Sequence, residues 1–333
     1  MSYNCLFNFI IGSRGSGKTY GSLKFGIENW LKAKAKGKTY NFMYVRRFQT
    51  ELDKLTKARN GRLFMAVQKE FPDLNLTAES NILKCNGEVI GYSVPLSTAS
   101  ILKSDAFPYV GDIIFDEFII DSHGSYHYLR DEVTKFLDLY ETVSRGRDVR
   151  VWFLSNAVSL TNPYFDYFHL DKPHNGDIQR FGKSKEILVQ NLAPPELIEL
   201  RKKSRFGKII EGSDYAEYAF DNDWLLDNTD FVELKTRRSH YFVTIFYKSK
   251  PIGIWHDSFQ GIFYVSDDVD LQYGLQFSAT TDDHKPNVML FSGAKQNKWL
   301  QNLKRAYQLG AVRYESIQLK NYFRDIMRMA NLN

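Results

Sequence analysis

The chain has 333 residues, 43% apolar and 25% charged, with a formal net charge of +5. That length predicts two domains or one large one, and the composition excludes a disordered, collagen-like or disulfide-stapled chain, since Cys5 and Cys85 are the only cysteines. No apolar run approaches the roughly 18 residues of a membrane span, mean hydropathy is −0.39, and Cys5 to Ile11 lacks the flanks of a signal peptide, so a soluble cytosolic protein without a membrane partner is expected.

In chain order, Leu6 to Ile11 reads as a short buried strand, followed by a glycine-rich loop and a helix from Thr19 to about Ala35. Tyr40 to Val45 is a second strand, and Glu51 to Glu70 is expected to be helical. Thr77 to Lys84 and Glu88 to Val94 flank Asn86-Gly87, a two-residue hairpin signal. Val110 to Phe115 is again buried-strand material, Asp131 to Ser144 carries apolar residues at helical spacing, and Val149 to Leu154 is another strand. Strands alternating with helices predict an α/β domain with a mainly parallel sheet. Beyond Pro163 the pattern changes. Asp171 to Asp177 reads as loop, and Glu196 to Gly212 as a basic helical stretch. His240 to Tyr247, Pro251 to His256 and Gly261 to Val265 form an antiparallel meander, and Lys298 to Ala306 and Ile317 to Met329 are closing helices. The expected organisation is a nucleotide-binding domain over residues 1–197, a helical linker over 198–228 and a smaller α+β domain over 229–333.

Charge is unevenly spread. Met1 to Glu70 holds 14 Lys/Arg against four Asp/Glu, and Lys285 to the end holds nine against two. Ser258 to His284 holds five Asp and no Lys or Arg. Basic ends suit a polyanion partner, although Lys24, Lys32, Lys34, Lys36 and Lys38 equally suit a solvated helix and its exit loop. Likewise Lys298, Lys304, Arg305, Arg313, Lys320, Arg324 and Arg328 suit either nucleic acid or a solvated helical face.

Gly12-Ser13-Arg14-Gly15-Ser16-Gly17-Lys18-Thr19 matches G-x-x-x-x-G-K-[ST] in full, after a strand and opening a helix. Glycines let backbone N–H groups approach phosphates, Lys18 reaches the β- and γ-phosphates of ATP, and the Thr19 hydroxyl ligates Mg²⁺. The metal also needs an acid at the end of another strand, which Asp116 supplies. Glu117 beside it is the candidate general base, and a second acid there favours hydrolysis over phosphoryl transfer to an acceptor. Asn156, at the tip of a further strand, is the candidate γ-phosphate sensor. Arg145 and Arg147 flank Gly146 in an exposed turn. Arg145 is the candidate finger for a neighbouring subunit's γ-phosphate, with a solvated or nucleic-acid-binding pair as the alternative. Arg46 and Arg47 end the second strand and either couple nucleotide state to DNA or pair with Asp53. Lys103 precedes a loop suited to face a neighbour.

With these residues in hand, the chain resembles the DNA-packaging ATPases of phi29-type tailed phages. The shared features are Gly12 to Thr19, Tyr44-Val-Arg-Arg47, Phe115-Asp-Glu-Phe118, Leu154-Ser-Asn-Ala-Val158, Asn162-Pro-Tyr-Phe165, Arg205-Phe-Gly207 and Glu211 to Tyr215. The resemblance implies a terminase-like ASCE P-loop motor, forming a homomeric ring, a pentamer, at the portal (connector) vertex of a procapsid in the host cytoplasm. It implies translocation of double-stranded DNA, a packaging RNA in some relatives, and an RNase H-like C-terminal domain that has lost nuclease catalysis. The residues agree on the last point. Such a nuclease needs convergent carboxylates, one in its first strand, and His240 to Tyr247 contains none. Asp267, Asp268, Asp270, Asp282 and Asp283 form the only acidic cluster there. A terminase that also cuts DNA, and a slow nucleotide-gated switch, are the competing expectations.

Overall fold

Apolar runs buried almost along their whole length, separated by helices, assemble the larger of two units into which the chain divides in this computed structural model, Met1–Leu226 and Asp227–Asn333. The structure describes residues 4–56, 62–120, 127–156, 162–170, 173, 176–213, 231–291, 293 and 297–329.

In the first unit the elements run β1 (Phe7–Gly12), α1 (Lys18–Ala35), β2 (Asn41–Arg46), α2 (Gln49–Thr56), β3 (Leu76–Glu79), β4 (Ile82–Cys85), β5 (Glu88–Pro95), β6 (Val110–Asp116), α3 (Glu132–Ser144), β7 (Arg150–Ser155), α4 (Pro163–Phe168), β8 (Ile178–Phe181), β9 (Ile187–Leu192), α5 (Pro195–Lys203) and α6 (Arg205–Ile210). The sheet order is β3-β4-β5-β2-β6-β7-β1-β9-β8. Its six central strands are parallel, and the strands at both edges are antiparallel. One strand, β7, therefore lies between the strand leading into the glycine-rich loop and the strand ending in Asp116.

Period-two alternation sends successive strand residues to opposite faces, and both faces are covered. Phe7, Phe9, Met43, Ile113, Phe115 and Phe153 pack against α3 and α4. Phe42, Tyr44, Ile114, Trp152 and Leu154 pack against α1 and the segment after α2. Phe9 and Phe153 stack with centroids 4.2 Å apart across β1 and β7, so the strands around the site are locked by aromatic packing. Burying each such ring contributes about 1.5–3 kcal/mol.

The second unit holds β10 (His240–Tyr247), β11 (Lys250–Asp257), β12 (Ile262–Ser266), β13 (Gln276–Ser278), β14 (Met289–Leu290), α7 (Lys298–Gln308), β15 (Val312–Tyr314) and α8 (Ile317–Met329). Its sheet order is β14-β13-β10-β11-β12-β15. The meander β10-β11-β12 is antiparallel, and β13 and β14 add in parallel beside β10. That is the strand order of an RNase H-like α+β domain, as expected, with β15 added in parallel beside β12. Leu300 and Leu303 of α7, with Tyr322, Phe323 and Ile326 of α8, join the sheet in one core.

Several elements differ from expectation. Of the span expected to be helical, Glu51 to Glu70, the described residues hold α2, which ends at Thr56, and a 3-10 turn, Val67–Glu70; residues 57–61 lie outside the described residues. The strand expected over Thr77 to Lys84 is split into β3 and β4, with Ser80 at φ 56°. The basic stretch from Glu196 breaks at Ser204, whose hydroxyl caps α6 by accepting from the Gly207 N–H at 2.9 Å. β8 and β9 have no counterpart among the expected elements; in β9, Gln190 and Asn191 interrupt a short apolar run. Asn191 is buried and satisfied by donating to the Pro173 carbonyl at 3.1 Å.

Candidate active site

The glycine-rich loop starts where β1 stops. At Gly12 a Cβ would lie 2.6 Å from the Leu192 carbonyl oxygen on β9, so any side chain would push the loop off the sheet. Gly15 and Gly17 turn the chain with φ of 77° and 82°, the left-handed region that glycine enters freely. Gly17 is the N-cap of α1, and no side chain caps that end. Its first-turn N–H groups therefore suit an anion.

Lys18 folds back over this loop. Its Nζ donates to the carbonyls of Gly12 and Ser13, both at 2.9 Å, to Ser16 Oγ at 3.1 Å and to Asn156 Oδ1 at 3.2 Å. Burial pulls its pKa down to about 8; Asp116 opposes the fall, and Arg201 and Arg14 deepen it. Arg201, on α5, donates to the Arg14 carbonyl. Three cations thus converge on one loop.

Asp116 ends β6 and is 8% exposed. Its Oδ2 accepts from the Thr19 hydroxyl at 3.0 Å and from the Tyr44 hydroxyl at 2.8 Å. Burial and the neighbouring Asp116 hold the Tyr44 pKa well above the usual phenol range, so Tyr44 remains a donor. A hydroxyl and a carboxylate brought together in this way are hard oxygen donors of the kind Mg²⁺ takes. Glu117 follows with φ 58°, and its side chain is 57% exposed. Its Oε2 lies 2.9 Å from Arg46 Nη1, an ion pair without hydrogen-bond alignment. Among the described residues, Arg46 Nε and Nη1 have no hydrogen-bond partner. Asn156, just past β7, lies between the loop and these acids. Lys18, Thr19, Arg46, Asp116, Glu117 and Asn156 all line one cleft of about 660 Å³.

The arginines of the turn lie elsewhere. Arg147 is committed to structure, donating to the carbonyls of Val110, Phe107 and Val143 at 3.0, 2.7 and 2.7 Å. Arg145 donates to the Asp105 carbonyl at 2.8 Å. Both precede β7, at its N-terminal end, whereas the loop sits at the C-terminal ends of the strands. The length of β7, about 16 Å at strand rise, separates them from their own chain's loop. Lys103 is on the same edge, paired with Asp138 at 3.0 Å. Of the β2 arginines, Arg46 pairs with Glu117 and Arg47 with Glu132, while Asp53 accepts from Gln49.

Sequence reasoning missed Tyr44 as a partner of Asp116. The signal was present, because Tyr44 stands two residues before Arg46 on a strand next to β6, and residues two apart share a face.

A strand-loop-helix phosphate cradle, a strand inserted between it and the acidic strand, and paired acids at that strand's tip define a P-loop ATPase of the additional-strand, catalytic-glutamate class. More particularly, the chain belongs to the podovirus DNA encapsidation protein (Gp16) family, whose model matches residues 1–332. It is 34% identical to the DNA packaging protein of Bacillus phage phi29 over 329 residues, covering 98% of this chain and 95% of the relative. Its fold is similar to a chain of the bacteriophage phi29 viral genome packaging motor assembly, with TM-score 0.77, 33% identity and coverage of 99% and 97%. It is also similar to the crystal structure of the N-terminal domain of the phi29 DNA packaging ATPase, at 37% identity and TM-score 0.50, covering 57% of this chain and 91% of that one.

Proposed function

We propose that this chain is the ATP-driven motor that moves double-stranded DNA into a procapsid, working as a homomeric ring at the portal. The observation that carries the reading is the convergence of Lys18, Asn156, Asp116 and Glu117 on one cleft while Arg145 lies at the opposite end of the strands. ATP binds with its phosphates on Gly12 to Thr19, and Lys18 exchanges its own loop carbonyls for phosphate oxygens. Thr19 and Asp116 would hold Mg²⁺, which supplies charge neutralisation on the phosphates. Tyr44 fixes the Asp116 carboxylate. Glu117 accepts the proton of the attacking water, with Asn156 oriented toward the same place by Lys18.

Arg145 serves the nucleotide of the adjacent subunit, since its own lies a strand length away. Arg147, with its guanidinium bonded to three carbonyls, supports the turn that presents it. DNA is gripped through phosphates, because packaging tolerates any sequence. Pentameric stoichiometry, docking on the portal and a packaging RNA belong to this proposal as what the family resemblance implies.

Among the described residues, three of the five aspartates in the acidic stretch already have structural partners. Asp283 accepts the backbone N–H groups of Lys248 and Ser249 at 3.0 and 2.7 Å. Asp268 pairs with Lys235 at 3.1 Å, and Asp270 accepts from the Gln272 N–H at 2.9 Å. These carboxylates are spent on turns and ion pairs, which supports a second unit without metal-dependent cleavage.

The test is steady-state ATP hydrolysis over a series of protein concentrations, with and without long double-stranded DNA, at two salt concentrations. A rate per subunit that rises with concentration and with DNA, and falls with salt, is expected. A rate indifferent to both would overturn the ring motor in favour of a self-contained switch.

A further inference from the structure

Arg47 follows Arg46 at the end of β2, yet it is 2% exposed and does not line the cleft. Its Nε and Nη2 donate to the two carboxylate oxygens of Glu132, both at 2.8 Å. Nη2 also donates to the Phe118 carbonyl at 2.7 Å, and Nη1 to the Glu117 carbonyl at 3.1 Å. Glu132 is the first residue of α3 and equally buried. It accepts two further hydrogen bonds, from the Leu129 N–H at 2.8 Å and the Tyr164 hydroxyl at 3.0 Å. The Tyr128 ring lies 5.1 Å from the guanidinium. The cluster therefore joins β2, the tip of β6, α3 and α4 around one ion pair.

A buried ion pair is costly to assemble and adds little stability over an apolar core, so what the cluster touches matters more than what it stabilises. It touches the carbonyls of Glu117 and Phe118. Glu117 is a non-glycine residue at φ 58°, a region that persists only where the surroundings hold it. Freed of these bonds, the backbone would relax toward an ordinary region and swing the carboxylate away from the cleft.

We propose that Arg47, locked by Glu132, is a positioning residue for hydrolysis, holding the left-handed backbone that aims the Glu117 carboxylate. The proposal rests on the reading of Glu117 as general base. Lysine does not substitute, because one ammonium does not span two carboxylate oxygens and two carbonyls as a planar guanidinium does.

The test compares Arg47→Lys, Tyr164→Phe, Glu117→Gln and the double variant Arg47→Lys/Glu117→Gln in the full chain. The measurements are kcat, affinity for a non-hydrolysable ATP analogue, and folding by circular dichroism. Arg47→Lys is expected to lower kcat at least about tenfold, as misplacement of a catalytic group does, with analogue affinity unchanged. Tyr164→Phe, which removes one donor from Glu132, is expected to lower kcat about threefold. The double variant should be no slower than Glu117→Gln alone, since Arg47 acts through Glu117.

A folded Arg47→Lys with wild-type kcat overturns the proposal, and so does an equal loss of analogue binding or a further loss in the double variant. If Arg47→Lys does not fold, Tyr164→Phe decides, and wild-type kcat there overturns it. Full turnover in Glu117→Gln marks instead the failure of the general-base reading.

Discussion

Arg46 Nη1 stands 2.9 Å from Glu117 Oε2, so the acid proposed to activate water is tied to a cation in the same cleft. A carboxylate in an ion pair must loosen that contact before it accepts a proton. Glu117 is largely exposed, so solvent screens the pair and its worth is small, about 0.5–1 kcal/mol. Arg46→Ala is therefore expected to raise DNA-free ATP hydrolysis by about two- to fivefold, in line with that energy. A DNA-free rate at or below wild type would show that the pair does not restrain the base.

Glu117→Gln keeps the shape of the side chain and removes its basicity. Hydrolysis should fall by at least about 10²-fold, the usual worth of a positioned base, while ATP still binds through Gly12 to Thr19. Turnover and equilibrium nucleotide binding, measured on the same preparation, separate the two effects.

If, as proposed, Arg145 serves the adjacent subunit because it lies a strand length from its own chain's loop, a complete site takes Glu117 from one subunit and Arg145 from the next. Arg145→Ala and Glu117→Gln subunits should each be inactive alone and partly active when mixed. In the mixture some sites pair an intact Glu117 with an intact Arg145. A mixture no more active than its components would place Arg145 outside the chemistry.

On the proposed reading Lys18 must carry its charge to meet phosphate, and burial, which disfavours the ammonium, holds its pKa at about 8. Below that pH the lysine is already charged and binding takes up no proton there. Above it, binding must protonate Lys18, so affinity should weaken with rising pH, approaching about tenfold per unit. Calorimetry in buffers of different ionisation enthalpy should show near-zero proton uptake at about pH 7 and close to one proton at about pH 9. Absence of uptake at the higher pH would refute this account of Lys18.

Asp112 shares the acidic strand with Asp116 but not its work. It is 1% exposed, and it accepts from the Tyr40 hydroxyl at 2.5 Å, Trp152 Nε1 at 3.0 Å and Arg150 Nη2 at 3.3 Å. Asp112→Ala leaves three donors without their acceptor, and should cost about 3–5 kcal/mol, as broken buried pairs do. Nucleotide affinity should not change. Urea unfolding and nucleotide titration of the same variant check both halves, and a stability change under about 1 kcal/mol, an exposed pair's worth, would contradict the assignment.

The loop, the acids and Asn156 were legible in the sequence because each sits at the end of an apolar strand, where local pattern and chemistry coincide. The central strands were legible for the same reason. What escaped depends on pairing between distant segments. Tyr44 meets Asp116 only because β2 is next to β6. Arg47 and Glu132 are separated by 85 positions, and only the fold brings them together. Arg145 and Arg147 look alike in the sequence, yet the carbonyls that occupy Arg147 come from Val110 and Phe107, on a segment more than thirty residues upstream. Likewise β9 and β15 are short, polar-interrupted strands whose identity comes from neighbours already in place.

The position of β7 between β1 and β6 sets a width. Adjacent strands stand about 4.8 Å apart, so the phosphate loop and the acidic tip are spaced by roughly 9–10 Å of sheet rather than half that. On the proposed reading, the terminal phosphate and the attacking water would occupy that width, between the loop and Glu117. The inserted strand β7 is thus a spacer between the phosphate loop and the acidic tip.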